Sequence, residues 1–156
     1  GLATRTCRTP PLFRRGPNFL SSSRRQDSAR GAGACFRSLH QPPAEGFVTP
    51  GRAEVHLATS ELMVADGRGL IHGGFVFSSL DYAAMLAVND PNVVLGAADL
   101  RFVAPVRLGD VVHCLAEVVE EKGKKRHVSV VASVGDREVV RGTMTAFVLD
   151  RHVLDG

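Results

Sequence analysis

The sequence predicts an α+β domain in which one long helix is enclosed by a curved antiparallel sheet. Three observations carry this. The segment Phe75–Asn89 is the one stretch with the length and period of a helix. It is apolar on nearly every side, and a helix of that kind belongs inside something. Everything after it reads as strand upon strand, joined by tight turns.

Ala53–Ala58 alternates as a short strand, with Val55 and Leu57 on one face. The polar turn Ala65-Asp66-Gly67-Arg68-Gly69 then leads into Leu70-Ile71-His72-Gly73-Gly74. In the helix, Phe77, Leu80, Ala84, Met85 and Val88 form the expected main stripe, with Phe75, Val76, Tyr82, Leu86 and Ala87 off it. Pro91 ends the helix, because proline cannot continue it and disfavours helical geometry just before. Strands are expected at Val93–Val103, Asp110–Glu120, Arg126–Val134 and Glu138–Leu149, with turns at 121–124 and at Gly135-Asp136. Such strands exceed the usual five or six residues or so, as a sheet wrapped around a helix requires.

Charge divides the chain at about residue 45. Residues 1–44 hold eight arginines and one acid, Asp27, for a charge of +7. The remaining 11 basic and 15 acidic residues give −4. The expected organisation is an Arg/Ser/Pro-rich leader over 1–45, disordered, and one folded domain over 46–156. The leader reads as a transit-peptide-like segment, as an artefact of the assigned start, or as a functional basic arm.

Because the folded part is mildly acidic, nucleic acid is not an expected partner. The most apolar window, Leu70–Val88, is interrupted by His72 and Asp81, so no membrane span is expected. Three cysteines, two of them in the leader, make no disulfide framework, and the six histidines show no metal-ligand spacing. A reducing compartment fits: the cytoplasm, or an organelle matrix if the leader is a genuine transit peptide.

Two features carry chemistry. Asp81 lies within the apolar stripe, where burial raises a carboxyl pKa and an unpaired charge costs several kcal/mol. It serves chemistry, or it bonds a neighbouring backbone or sits at an interface. His72-Gly73-Gly74 opens the helix, where glycines allow close backbone approach and free N–H groups favour developing negative charge. The plainer reading is that Gly73 and Gly74 only permit a tight turn. Ser78-Ser79 lacks the strand-elbow context of a nucleophilic serine.

Taken together, HGGFVFSSLD (His72–Asp81) resembles the hotdog-fold acyl-CoA thioesterases of the phenylacetate-pathway and 4-hydroxybenzoyl-CoA type, where His-Gly-Gly is followed by six variable residues and Asp. The likeness continues through RFVAPVRLGD (Arg101–Asp110) and spans approximately residues 46–150.

That resemblance implies the hotdog fold and a homodimer or dimer of dimers with the active site between protomers. Gly73 N–H of one subunit would polarise the thioester carbonyl. Asp81 of the other would attack it or activate water, and His72 would shape the loop. Gly74, Asp66, Phe77, Tyr82, Asp99 and Arg107 are the expected substrate-binding residues, with Arg107 placed for a CoA phosphate. Asp66 stands where relatives often have Asn. Leu95–Asp99 lacks the hydroxyl that often holds the water, a role left to Asp99 or to a group elsewhere. No metal and no cofactor beyond the CoA of the substrate is implied.

The expected function is hydrolysis of an acyl-CoA with a medium-chain or aryl acyl group. The runner-up is a hotdog module that senses or carries acyl-CoA without cleaving it. A dehydratase reading fits less well, since no His and acid pair has that family's spacing.

Overall fold

The computed structural model describes residues 46–155, so the expectations for the leader lie outside the described residues. Six strands form one antiparallel sheet: β1 (Gly46–Thr49), β2 (Arg52–Ala58), β3 (Val93–Phe102), β4 (Val111–Lys122), β5 (Lys125–Val134) and β6 (Arg137–Val148). Their order is β1-β2-β4-β5-β6-β3. One helix, α1 (Gly73–Val88), packs mainly against β2 and β4. This is the hotdog architecture that the sequence predicts.

Turn chemistry sets the register. Thr49 and Arg52 pair across Pro50-Gly51, with Gly51 at φ 77°. Proline then glycine in that order is the signature of a type II turn. β4 and β5 meet at Gly123-Lys124, and β5 and β6 at Gly135-Asp136. Both glycines take φ near 57° (57° and 56°), the left-handed value a two-residue hairpin asks of its first loop position.

The concave face of the sheet is built from small residues. Ala53, Val55 and Leu57 on β2, Val112, Cys114 and Ala116 on β4, and Val128, Val130 and Ala132 on β5 are all buried. Val and Ala leave room for the sheet to close on the helix. Gly142 on β6 takes this furthest, because a Cβ there would come within 2.0 Å of the Asp99 carbonyl oxygen. β3 can lie this close only while position 142 has no side chain.

The helix meets the sheet through Val76, Leu80, Ala83, Ala84 and Ala87, all buried. The stripe is therefore centred on Leu80 and is rotated from the expected one. Phe77, Met85 and Val88 are half-buried on one flank, whereas Val76, Leu86 and Ala87, expected off the stripe, are buried. An all-apolar helix has no single facing legible in its period, so the small residues that fit the sheet decide it. Full burial of a side chain such as Leu80 contributes about 2 kcal/mol. Asn89 closes the helix in the left-handed conformation (φ 52°), donating its N–H to the Met85 carbonyl at 2.9 Å.

Candidate functional site

Helix α1 begins at Gly73, two residues before the expected start. The loop leading to it is pinned from both sides. Ile71 N–H donates to the Val106 carbonyl at 2.9 Å, and His72 N–H to the Met63 carbonyl at 2.9 Å. His72 is the N-cap, and its Nδ1 accepts the Gly74 N–H at 2.9 Å. The Phe75 N–H goes to the His72 carbonyl at 3.1 Å. Of the first three amides of α1, those of Gly73, Gly74 and Phe75, only that of Gly73 meets no acceptor among the described residues. A free amide in the first turn is a site for negative charge.

Asp81 lies two turns along, on the flank of the helix with Phe77 and Val88 at helical spacing. Its Oδ1 is buried and has no hydrogen-bond partner. Burial pushes its carboxyl pKa above the ordinary value of 3.8. This oxygen thus carries a desolvation cost with nothing among the described residues to offset it.

Separation along the helix matters as much as burial. Eight residues at 1.5 Å each place Asp81 about 12 Å from Gly73 along the axis. A carbonyl polarised by one cannot be reached by the other on the same helix.

The remaining predicted residues divide. Asp66 Oδ1 accepts from the N–H groups of Arg68 (2.9 Å) and Leu70 (3.1 Å), so it shapes the turn before the loop. Phe77 and Tyr82 are half-buried and pack against the core. Gly74 is spent on the cap. Arg107 is exposed; its backbone forms a bridge opposite Leu70, and its N–H donates to Asp110 Oδ2 at 2.9 Å. Its backbone therefore lies beside the loop that carries His72.

Asp99 is a correction. It lies on the outer face of the sheet, away from α1, beside Arg101, Arg141 and Thr143. A bulge at Gly96 is the reason. Leu95 pairs with Ala146 and Ala97 with Thr145, so one residue is skipped and the alternation of faces inverts. The same inversion turns Leu100 and Phe102 inward, and Asp99 cannot hold a water beside the helix.

Phe102 is the residue that sequence reasoning missed. A Cβ placed on Gly73 would meet its Cε1 at 3.1 Å, so the ring covers the glycine at the head of the helix. Ser78 and Ser79 donate their hydroxyls to the carbonyls of Gly74 (2.9 Å) and Phe75 (3.0 Å), which commits them to the local backbone. Among the described residues no three His, Cys, Asp or Glu side chains gather as metal ligands do. No described helix is long and apolar enough to cross a membrane.

Comparison with known proteins agrees with this fold. The chain is 52% identical over 104 residues to a methylthioribose-1-phosphate isomerase of Aquifex aeolicus, covering 66% of this chain and 23% of that protein. It is 30% identical over 95 residues to the transcription factor FapR of a Thermoanaerobacter species, covering 61% and 48%. The chain thus spans about a quarter of the first relative and about half of the second.

Among solved structures, an uncharacterized protein of Pyrococcus horikoshii, PH1136, superposes with a TM-score of 0.71 at 45% identity, covering 72% of this chain and 88% of that one. A hypothetical thioesterase of Streptococcus pneumoniae, solved with coenzyme A, shares the fold at 21% identity, with a TM-score of 0.62 and coverage of 68% and 84%. The family model described as the thioesterase superfamily matches residues 68–141, the span that runs from the turn before His72 through α1 and most of the sheet. By that match and that fold, residues 68–141 of this chain are similar to the thioesterase superfamily.

Proposed function

We propose that this chain hydrolyses an acyl-CoA thioester to free acid and CoA, at a site completed by a second copy of itself. The observation that carries the reading is the buried, unpartnered Oδ1 of Asp81. A carboxyl group kept at such cost has a use in chemistry. In this reading the Gly73 N–H of one subunit binds the carbonyl oxygen and stabilises the oxyanion. Asp81 of the other subunit either takes a proton from the attacking water and passes it to the departing CoA sulfur, or attacks the acyl carbon and expels the CoA thiolate, leaving an anhydride that water hydrolyses to the free acid and Asp81. Arg107 beside the loop is the contact for a CoA phosphate, and the reaction needs no cofactor beyond water.

The separation of about 12 Å between Gly73 and Asp81 supports the two-subunit arrangement. So does β3, which among the described residues forms an open edge of the sheet with a strand partner on one side. Asp81→Asn should abolish thiol release from acyl-CoA esters while leaving the protein folded and its oligomeric state unchanged. Wild-type turnover in that variant would refute the assignment.

The likeness to FapR favours a second reading, in which the domain binds an acyl-CoA and does not cleave it. Saturable binding of an acyl-CoA with no thiol released over hours would select it.

A further inference from the structure

We propose that Phe102 decides which acyl chains this protein accepts, and that its preferred acyl groups are uncharged hydrocarbon chains. The inference rests on the proposed site and extends it to substrate class.

Beside Gly73 the chain forms a groove of about 340 Å³, lined among others by Leu70, Val76, Phe102, Val103 and Pro105. None of its lining residues is charged. The volume is at the small end for a ligand site, which suits an acyl group more than a whole CoA ester. Within one subunit the apolar surface is open: Phe102 is 55% exposed, Val103 48% and Leu70 40%. An apolar surface of this kind next to a polar anchor marks a binding site more often than chance exposure.

The free N–H of Gly73 indicates which occupant fits. An apolar protein side chain laid over this groove would bury that donor unsatisfied, at a cost of about 1–3 kcal/mol. An acyl group satisfies it, because its carbonyl oxygen can accept the N–H while the hydrocarbon follows the groove. An acyl group ending in a carboxylate would have to desolvate that charge with no partner along the lining, so such esters are poor substrates.

Phe102 controls the groove because of where its ring lies. It sits at the end of β3, turned inward by the Gly96 bulge, in contact with Gly73. A chain whose carbonyl is held at Gly73 must pass this ring. A smaller residue at 102 opens the path to longer chains, and a larger one shortens it.

The test compares wild type with Phe102→Ala and Phe102→Trp on straight-chain acyl-CoAs from short to long and on one acyl-CoA with a terminal carboxylate. Thiol release gives kcat/KM, and non-hydrolysable thioether analogues of the same chains give Kd. The long-to-short ratio should rise about tenfold in Phe102→Ala and fall in Phe102→Trp, in both kcat/KM and Kd. An equal change at every chain length would overturn the proposal, as would preference for the carboxylate-bearing ester. A change of oligomeric state in both variants would assign the ring to a subunit contact and overturn it too. If wild type releases no thiol, hydrolysis is refuted, while a Kd series that still follows residue 102 upholds the chain-selecting role. Thiol release with an unaltered chain preference refutes Phe102 alone.

Discussion

The Nδ1 of His72 accepts the N–H of Gly74 at 2.9 Å, one residue past the amide that is left free. The imidazole thus caps the helix while leaving the Gly73 N–H open to a ligand. Acceptance at Nδ1 places the ring proton on Nε2 in the neutral form. His72→Ala should cost about 1 kcal/mol of stability, the usual value of a lost N-cap. His72→Asn should recover most of it, because asparagine caps the same turn. Urea unfolding of the two variants beside wild type measures the difference.

The raised pKa of Asp81 fixes the sign of a pH effect. The folded chain keeps this proton to higher pH than the unfolded chain does, so between the two pKa values it binds more protons. Its contribution to stability therefore falls as pH rises through that window, and stays lowered above it. Asp81→Asn should melt at or above the wild-type temperature at pH 7. The gain should vanish below the ordinary carboxyl value of 3.8, where both states are protonated. Thermal melts at the two pH values decide it. Wild-type turnover that needs the carboxylate should likewise show an acid limb displaced upward from 3.8.

Gly142 faces the Asp99 carbonyl so closely that any Cβ must displace β3. Gly142→Ala should cost about 3 kcal/mol, at the upper end for overpacking. Gly67, with open space around its missing Cβ, is the control, and Gly67→Ala should leave the melting temperature within a degree or so.

Cys114 is buried on the concave face, and burial pushes its thiol up to about 12. Little thiolate exists at neutral pH, and the thiolate is the reactive form. Iodoacetamide should leave Cys114 unmodified in the native protein and modify it after denaturation, as peptide mapping by mass spectrometry can follow.

The helix was legible in the sequence because its length and apolar content have no other reading. Its start was read two residues late, since glycines weaken a helix and histidine is an uncommon cap. Strand β1 was missed although Thr49-Pro50-Gly51-Arg52 carries a turn signal, because the strand before it is only four residues long. Asp81 could be found as a carboxyl amid apolar neighbours. Phe102 and Asp99 could not be placed, because a single bulge at Gly96 decides which of them faces the helix, and alternation counted along β3 gives the opposite answer.

The sheet's connectivity also bears on the order of assembly. β4, β5 and β6 are neighbours in sequence and in space, joined by two-residue turns, and closing such short loops costs little entropy. They form a meander held by local contacts. β3 must instead come from before β4 and dock on the far side of β6, enclosing the helix as it arrives. The groove beside Gly73, built where β3 ends, is therefore among the latest parts to form and the earliest to loosen, which places the ligand-facing region at the soft end of a firm scaffold.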